Sequence, residues 1–471
     1  MTPKRPEIDT DDLFKTRLDQ VINLRHELAV LADRIDWSHI ELQLKPFYAT
    51  TGRAAISSRL MVGLHLLKAT YHLSDEAVCE RWVENPYFQY FCGETYFQHR
   101  FPIERSSMTH WRHRIGEDFC ATLIKESLRI ARHSKALHTK HLKRVVVDTT
   151  VQPKAVTFPT DVRLHYKALT ALVTLAKAHH LTLRQSYLRV AKKAMMMSGR
   201  YRHAKQIKRA KREEKFVRVR LGRVIRDIVR QLIDREALHS VFAEALRKAG
   251  IAFRQQRNSK TKLYSWHAPE VECIGKGKAD KPYEFGCKVS VTTHVNKAPG
   301  GHFILHAAAL HGRPYDGHTL KPVLEKGTEW TGVTPERVYV DRGYRGHDYP
   351  HPHRVFRSGQ KRGIHGSVKK ELRRRTIVEP VIGHLKSDGH LGRNYLKGEL
   401  GDKQNALFSA VGHNLRLLLK WFKQLFCAWY LKCRTTNLTQ SIGRLSVIKA
   451  LELIARICHR KEPYFYNGAY V

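Results

Sequence analysis

Two short apolar runs, each ending in an aspartate, constrain this chain most. Val145-Val146-Val147 leads into Asp148, and Val338-Tyr339-Val340 leads into Asp341. A short unbroken run of such residues reads as a strand covered on both faces. Glu379 follows in Arg375-Thr376-Ile377-Val378-Glu379-Pro380, where helical character has returned. Two strands that each deliver a carboxylate at their end, and a third carboxylate on a helix, can gather around one point. Crowded carboxylates repel one another unless a cation sits among them. Divalent Mg²⁺ prefers oxygen ligands, and a pair of such ions suits the chemistry of phosphodiesters. Asp148, Asp341 and Glu379 are therefore the candidate catalytic and metal-binding residues, with two Mg²⁺ ions (or Mn²⁺) as the expected cofactor. Each signal has a plainer reading when taken alone. An Asp after a strand is a common turn former, and Thr376-x-x-Glu379 fits a helix capping box.

The rest of the pattern places these residues in a fold. Tyr283, Phe285, Cys287, Val289 and Val291 alternate with Glu284, Gly286, Lys288, Ser290 and Thr292, which is the period of a strand. A Pro-Gly-Gly turn at 299–301 joins it to Phe303-Ile304-Leu305 as a hairpin. A helix is expected near Thr319–Glu325, a strand at Val338–Asp341, a short strand at Val355-Phe356 and helix again from about Lys369. This order predicts an α/β fold with a mixed five-stranded, RNase H-like sheet. In that topology the first and fourth strands are neighbours, which brings Asp148 and Asp341 together. Arg375, Glu379 and Lys386 fall on one helix face. Arg375 can orient Glu379 and Lys386 can hold a phosphate; the plain alternative is a surface ion pair of little value.

Charge points to the partner. Lys and Arg number 84 against 43 acids, for a net charge of +41. Such an excess favours polyanions, and double-stranded DNA is the expected one. Between Lys192 and Arg230 there are 15 basic residues and three acids, over an apolar stripe of Leu221, Val224, Ile225, Ile228 and Leu232. One or two long basic helices follow, with Lys208, Arg209, Lys211 and Arg212 as candidate DNA-backbone contacts; a solvated helix pair gives the same pattern. Residues 1–135 read as helical, with Ser74 capping a helix that ends at Asn85-Pro86. The following helix carries Arg112 and Arg114, the candidates for reading DNA sequence in a helix-turn-helix manner; a plain bundle with a basic face remains the alternative. The expected organisation is a helical DNA-binding domain at 1–135, a catalytic domain at 140–425 with a helical insertion at about 160–265 between the first and second strands, and a helical extension at 426–471. The eight cysteines form no CxxC pair and read as reduced and structural. No signal peptide or membrane span is seen, so a cytoplasmic, nucleoid-associated protein without membrane contact is expected.

Three blocks carry a family resemblance. Asp148-Thr149-Thr150-Val151-Gln152, Asp341-Arg342-Gly343-Tyr344-Arg345-Gly346 and Val378-Glu379-Pro380-Val381-Ile382-Gly383-His384-Leu385-Lys386 resemble the catalytic blocks of bacterial DDE insertion-sequence transposases, in the group numbered five in insertion-sequence nomenclature. Arg393-Asn394-Tyr395-Leu396-Lys397-Gly398 and Gly412-His413-Asn414-Leu415 resemble that group's C-terminal blocks, and Leu73 to Gly93 its N-terminal domain. The resemblance implies two divalent metals, recognition of terminal inverted repeats, strand cleavage, and transfer of the freed 3′-OH to target DNA. It also implies a homodimer that holds two ends. The motif Tyr-x2-Arg-x3-Glu-x6-Lys is met by Arg375, Glu379 and Lys386, but Leu372 stands at its Tyr position. The large insertion also precedes Asp341, unlike that of hairpin-forming relatives. The rival functions are a metal-dependent nuclease or resolvase on the same core, and a DNA-binding repressor without catalysis.

Overall fold

The computed structural model describes residues 16–48, 55–275 and 282–439, with side chains as far as Tyr430. Its sheet has six strands among these residues: β1 (Arg144–Pro153), β2 (Glu272–Gly275), β3 (Tyr283–His294), β4 (Ile304–Leu310), β5 (Arg337–Val340) and β6 (Val355–Arg357). The order is β2-β3-β1-β5-β6, with β4 also on β3. β3 is long enough to take both partners on one edge. Its first residues pair with β2, and Lys288–Thr293 pair with β4. β1 is antiparallel to β3 and parallel to β5, and β5 is parallel to β6. The sheet is therefore mixed, as expected, but one strand larger. The extra strand, β2, closes the helical insertion, where Glu-Cys-Ile-Gly shows no alternation that would reveal it.

The valine run behaves as its composition requires. Val145, Val146 and Val147 are all buried. Their pleat sends Val145 and Val147 into the main core, and Val146 into a smaller cluster with Tyr339, Val295 and Val378. The main core is continuous through the N-terminal helices, one sheet face and the long helix Gly398–Thr439: Leu64, Leu128, Val145, Val289, Leu320 and Val411 all belong to it. The expected domain boundary near residue 135 is thus not a gap in the apolar packing. Nor is 426 a break, because the last helix runs on to Thr439; residues 440–471 of the expected extension, Cys458 included, lie outside the described residues.

That helix meets the N-terminal helix Ser58–Tyr71 at Gly412, where a Cβ would come within 2.3 Å of the Ala69 carbonyl oxygen. Close approach of two helices needs this glycine. Two residues on, Asn414 accepts the N–H of Ile304 (2.8 Å) and donates to Ser127 Oγ (3.0 Å). The Gly412–Leu415 block therefore joins helix, β4 and N-terminal region.

The insertion consists of helices Asp161–Ala178, Leu188–His203, Ile207–Leu232 and His239–Arg254. It has its own core, built on Leu172, Leu221, Val224, Ile228 and Phe242. The basic stretch resolves into two helices that meet at a turn. Lys208, Arg209, Lys211 and Arg212 are exposed just beyond that turn. No helix among the described residues is long and apolar enough to cross a membrane.

Candidate active site

Alternation along the strands places the carboxylates. Asp148 follows Val146 by two residues and Asp341 follows Tyr339 by two, so each points to the same sheet face as its predecessor. Val146 pairs with Tyr339 across the parallel ladder, and both pack against Val378. The two aspartates therefore emerge side by side toward the helix Val378–Ser387, whose first turn carries Glu379. Pro380 fits there because the first turn of a helix leaves its N–H groups without intrahelical partners. Thr376 does not cap this helix; the N-cap is Ile377, with no side-chain bond, and the Thr376 hydroxyl lies 3.5 Å from the Arg373 carbonyl.

One guanidinium reaches all three acids. Arg375 lies 3.5 Å from Asp148 Oδ2, 3.8 Å from Asp341 Oδ1 and 3.7 Å from Glu379 Oε1. Asp148 and Arg375 are largely buried, whereas Asp341 and Glu379 are open to solvent. Burial pushes the Asp148 carboxyl up to about 6, with Asp341 and Asp316 adding to the rise; the Thr149 N–H (2.8 Å) and Arg375 oppose it. The site has more negative charge than its one arginine balances.

Asp316 is an acid that sequence reasoning missed. It opens the helix Asp316–Thr331, and its Oδ1 accepts from Thr149 Oγ1 and Lys288 Nζ, each at 3.1 Å. Gly343, two residues after Asp341, makes room for it: a Cβ there would sit 3.1 Å from Asp316 Oδ2. No strand ends at Asp316, and it precedes the helix expected near Thr319–Glu325, so no local signal marked it.

The remaining expected residues are scattered more widely. Lys386 is partly buried two turns beyond Glu379. Leu372 packs with Phe356 and Val368 against the Val146 cluster, so an apolar contact replaces the motif's hydroxyl. Its neighbour Glu371 is buried and takes Arg144, Arg337 and the Tyr339 hydroxyl, which pins the helix Gly366–Arg373 to β1 and β5. Lys208, Arg209, Lys211 and Arg212 lie in the separately packed insertion.

Arg112 departs from its expected role. It is only 5% exposed, and its guanidinium makes two bonds to Asp75, at 2.9 and 2.6 Å. It also donates to Thr109 Oγ1 (3.0 Å). Burial disfavours the Asp75 anion, but Arg112 and Lys68 overcome this and hold the carboxyl well below its ordinary value. A side chain held in this way cannot reach a base edge without breaking the pair. The helix Ser106–Arg114 begins after Arg105 without a side-chain cap. Its exposed positions are Ser106, Thr109, His110, His113 and Arg114.

The raised Asp148 group gives a signed prediction. Its folded value lies above the ordinary 3.8, so the associated stability is present below about 3.8 and lost as pH rises through about 6. A shift of this size corresponds to roughly 3 kcal/mol. In chelator-treated protein, Asp148→Asn is expected to be more stable than the parent at pH 7.5, by on the order of 2–3 kcal/mol, with the gap shrinking by pH 4.5. Unfolding curves of both proteins at the two pH values measure this. An unchanging gap would show that Asp148 bears no electrostatic load.

Residues 16–114 match a family described as a transposase domain (DUF772). This is the helical region that packs on the sheet and carries the Arg112–Asp75 pair. An uncharacterized protein, ORF8 in the nfe locus of Rhizobium meliloti, is 51% identical over 206 residues, which is 44% of this chain and 100% of that protein. No solved structure matches. The chain thus belongs to the family of the ORF8 protein, and its N-terminal helices are similar to a transposase domain.

Proposed function

We propose that the chain is a DDE transposase: it binds the terminal inverted repeats of an insertion sequence, cuts at them and transfers the 3′-OH ends to target DNA. The observation that carries this reading is the convergence of Asp148, Asp341 and Glu379 within 4 Å of the one Arg375 guanidinium. The sheet order around β1, with antiparallel β3 and β4 on one side and parallel β5 and β6 on the other, supports an RNase H-like core. The transposase domain at 16–114 supports the biological role.

The residues fit divalent metal. They offer only oxygen, they converge on one guanidinium, and the buried Asp148 carries a repulsion that a cation relieves. Asp148, Asp341 and Glu379 would hold the ions, with Arg375 as their shared neighbour before loading. When bound, two such ions activate the attacking oxygen and stabilise the leaving oxygen of a phosphodiester. Arg375 keeps the three carboxylates turned inward before loading and then is free to hold a phosphate oxygen. Lys386 supplies a point charge further along the helix that carries Glu379. Lys288, bonded to Asp316, and Thr149 fix that fourth acid beside Asp148. Two chains joined on two ends form the active unit in this reading.

The test uses a duplex carrying the terminal repeat of the gene's own element. With Mg²⁺ or Mn²⁺, the protein is expected to cut at the repeat boundary and join the 3′ end to a second duplex. Cutting without joining would favour a nuclease, and binding without cutting a repressor.

The exposed basic turn of the insertion is a candidate backbone contact. Neutralising Lys208, Arg209, Lys211 and Arg212 together is expected to flatten the log–log dependence of DNA affinity on salt, by up to about 3–4 units if every charge meets a phosphate. Fluorescence anisotropy across a salt series measures the slope. An unchanged slope would assign these side chains to solvent.

A further inference from the structure

A second cluster lies further along the sheet. Cys287 is on β3, opposite Gln152 of β1. Gln152 is four residues past Asp148, or about 13 Å along the strand. His311 directly follows β4, and Asp402 lies in the first turns of the C-terminal helix. One ligating atom from each falls within 4.8 Å of the others. Cys287 Sγ is 3.7 and 3.8 Å from the two His311 ring nitrogens, and His311 Nε2 is 3.9 Å from Asp402 Oδ2. In a tetrahedral zinc site, with Zn–S about 2.3 Å and Zn–N or Zn–O about 2.0–2.1 Å, the S–N and N–O edges measure about 3.6 and 3.3 Å. The observed spacings exceed these edges by only a few tenths of an ångström.

The surrounding hydrogen bonds leave donor oxygens unused. Asp402 Oδ1 is already taken by Lys154 Nζ (2.8 Å) and Asn394 Nδ2 (2.7 Å), which leaves Oδ2 toward His311. Lys154 is itself shared with Glu270 (2.7 Å). Nearby, Glu272 Oε1 accepts the N–H of Gly312 (2.6 Å), while its Oε2 is buried without a hydrogen-bond partner among the described residues. Lys154 thus serves two acids, and a third acid keeps an oxygen unpaired. In a chain of net charge +41, this pocket runs against the prevailing sign. A buried anionic oxygen with no partner is costly.

We propose that Cys287, His311 and Asp402 bind one Zn²⁺-class cation, with Glu272 beside the fourth coordination position. A sulfur and an imidazole donor select such an ion over Mg²⁺, so this site is chemically separate from the all-oxygen centre at Asp148. The ion would tie together four segments: β2 at the exit of the insertion, β3, the end of β4 and the C-terminal helix. It would anchor the insertion to the core at a fixed angle.

The test uses the full chain, stripped with chelator and titrated with Co²⁺, whose bond to thiolate gives a near-ultraviolet charge-transfer band. The carboxylate centre holds no sulfur and cannot produce that band. One equivalent of Co²⁺ is expected to give it, and Zn²⁺ to abolish it by displacement. Cys287→Ser is expected to lose the band while keeping its circular dichroism, and Cys79→Ser to retain it. His311→Ala, at a partly exposed position, tests the site without touching the buried strand; it is expected to weaken Co²⁺ binding on the order of 100-fold or more. No band in the parent protein, a band that survives Cys287→Ser, or unaltered affinity in His311→Ala would each overturn the proposal.

Discussion

Glu379→Gln is expected to lower strand cleavage by roughly 10³-fold or more while leaving the fold and DNA binding nearly unchanged. The side chain is 63% exposed and contributes one loose ion pair, 3.7 Å from Arg375, so its charge does little for stability. Glutamine keeps the shape and one oxygen but removes the anion. Loss of activity would then be a loss of chemistry. Single-turnover cleavage of a repeat-bearing duplex in Mg²⁺ measures the effect, with gel-shift affinity and melting temperature as the companion readouts. Cleavage at the parent rate would remove Glu379 from the site. An equal fall in binding and cleavage would recast it as a binding residue.

Arg112→Ala is expected to destabilise the N-terminal region by about 3–5 kcal/mol. The mutation leaves the largely buried Asp75 facing only Lys68 (2.7 Å). Breaking one half of a buried pair costs more than the pair itself contributes, because the other charge stays behind. Arg114→Ala, by contrast, is expected to change stability by no more than about 0.5 kcal/mol. If its helix reads the terminal repeat, that variant loses about 1–3 kcal/mol of affinity for the true end alone. Calorimetric unfolding of both variants, with binding to end and random duplexes, separates the roles. A stable Arg112→Ala protein with selective loss of end binding would restore Arg112 as the base reader.

The contrast between these two arginines shows where sequence reading reaches and where it stops. Local order was legible. The Val145–Asp148 and Val338–Asp341 runs gave strands, alternation from Tyr283 gave β3, and Ser74 caps Asp75–Glu84 through the N–H of Ala77. These signals are written within a few residues, and strand polarity then aims both aspartates the same way. Long-range pairing left no such trace. Asp75 lies 37 positions before Arg112, so nothing near Arg112 announces its burial. Asp316 reaches the site through a loop and a helix start, not a strand end. The Cys287, His311 and Asp402 cluster joins residues 24 and 91 positions apart (402 − 311), far outside zinc-motif spacings. The Thr376 capping box failed for a different reason: a 3₁₀ turn at Arg374–Ile377 shifts the helix start past it.

The most direct test of the central claim is anomalous diffraction from crystals of the protein with repeat DNA and Mn²⁺. Two Mn²⁺ peaks are expected about 4 Å apart, ligated by Asp148, Asp341 and Glu379, with Arg375 turned from the carboxylates to phosphate. Mn²⁺ bound elsewhere, with Arg375 still holding the three acids, would contradict the account.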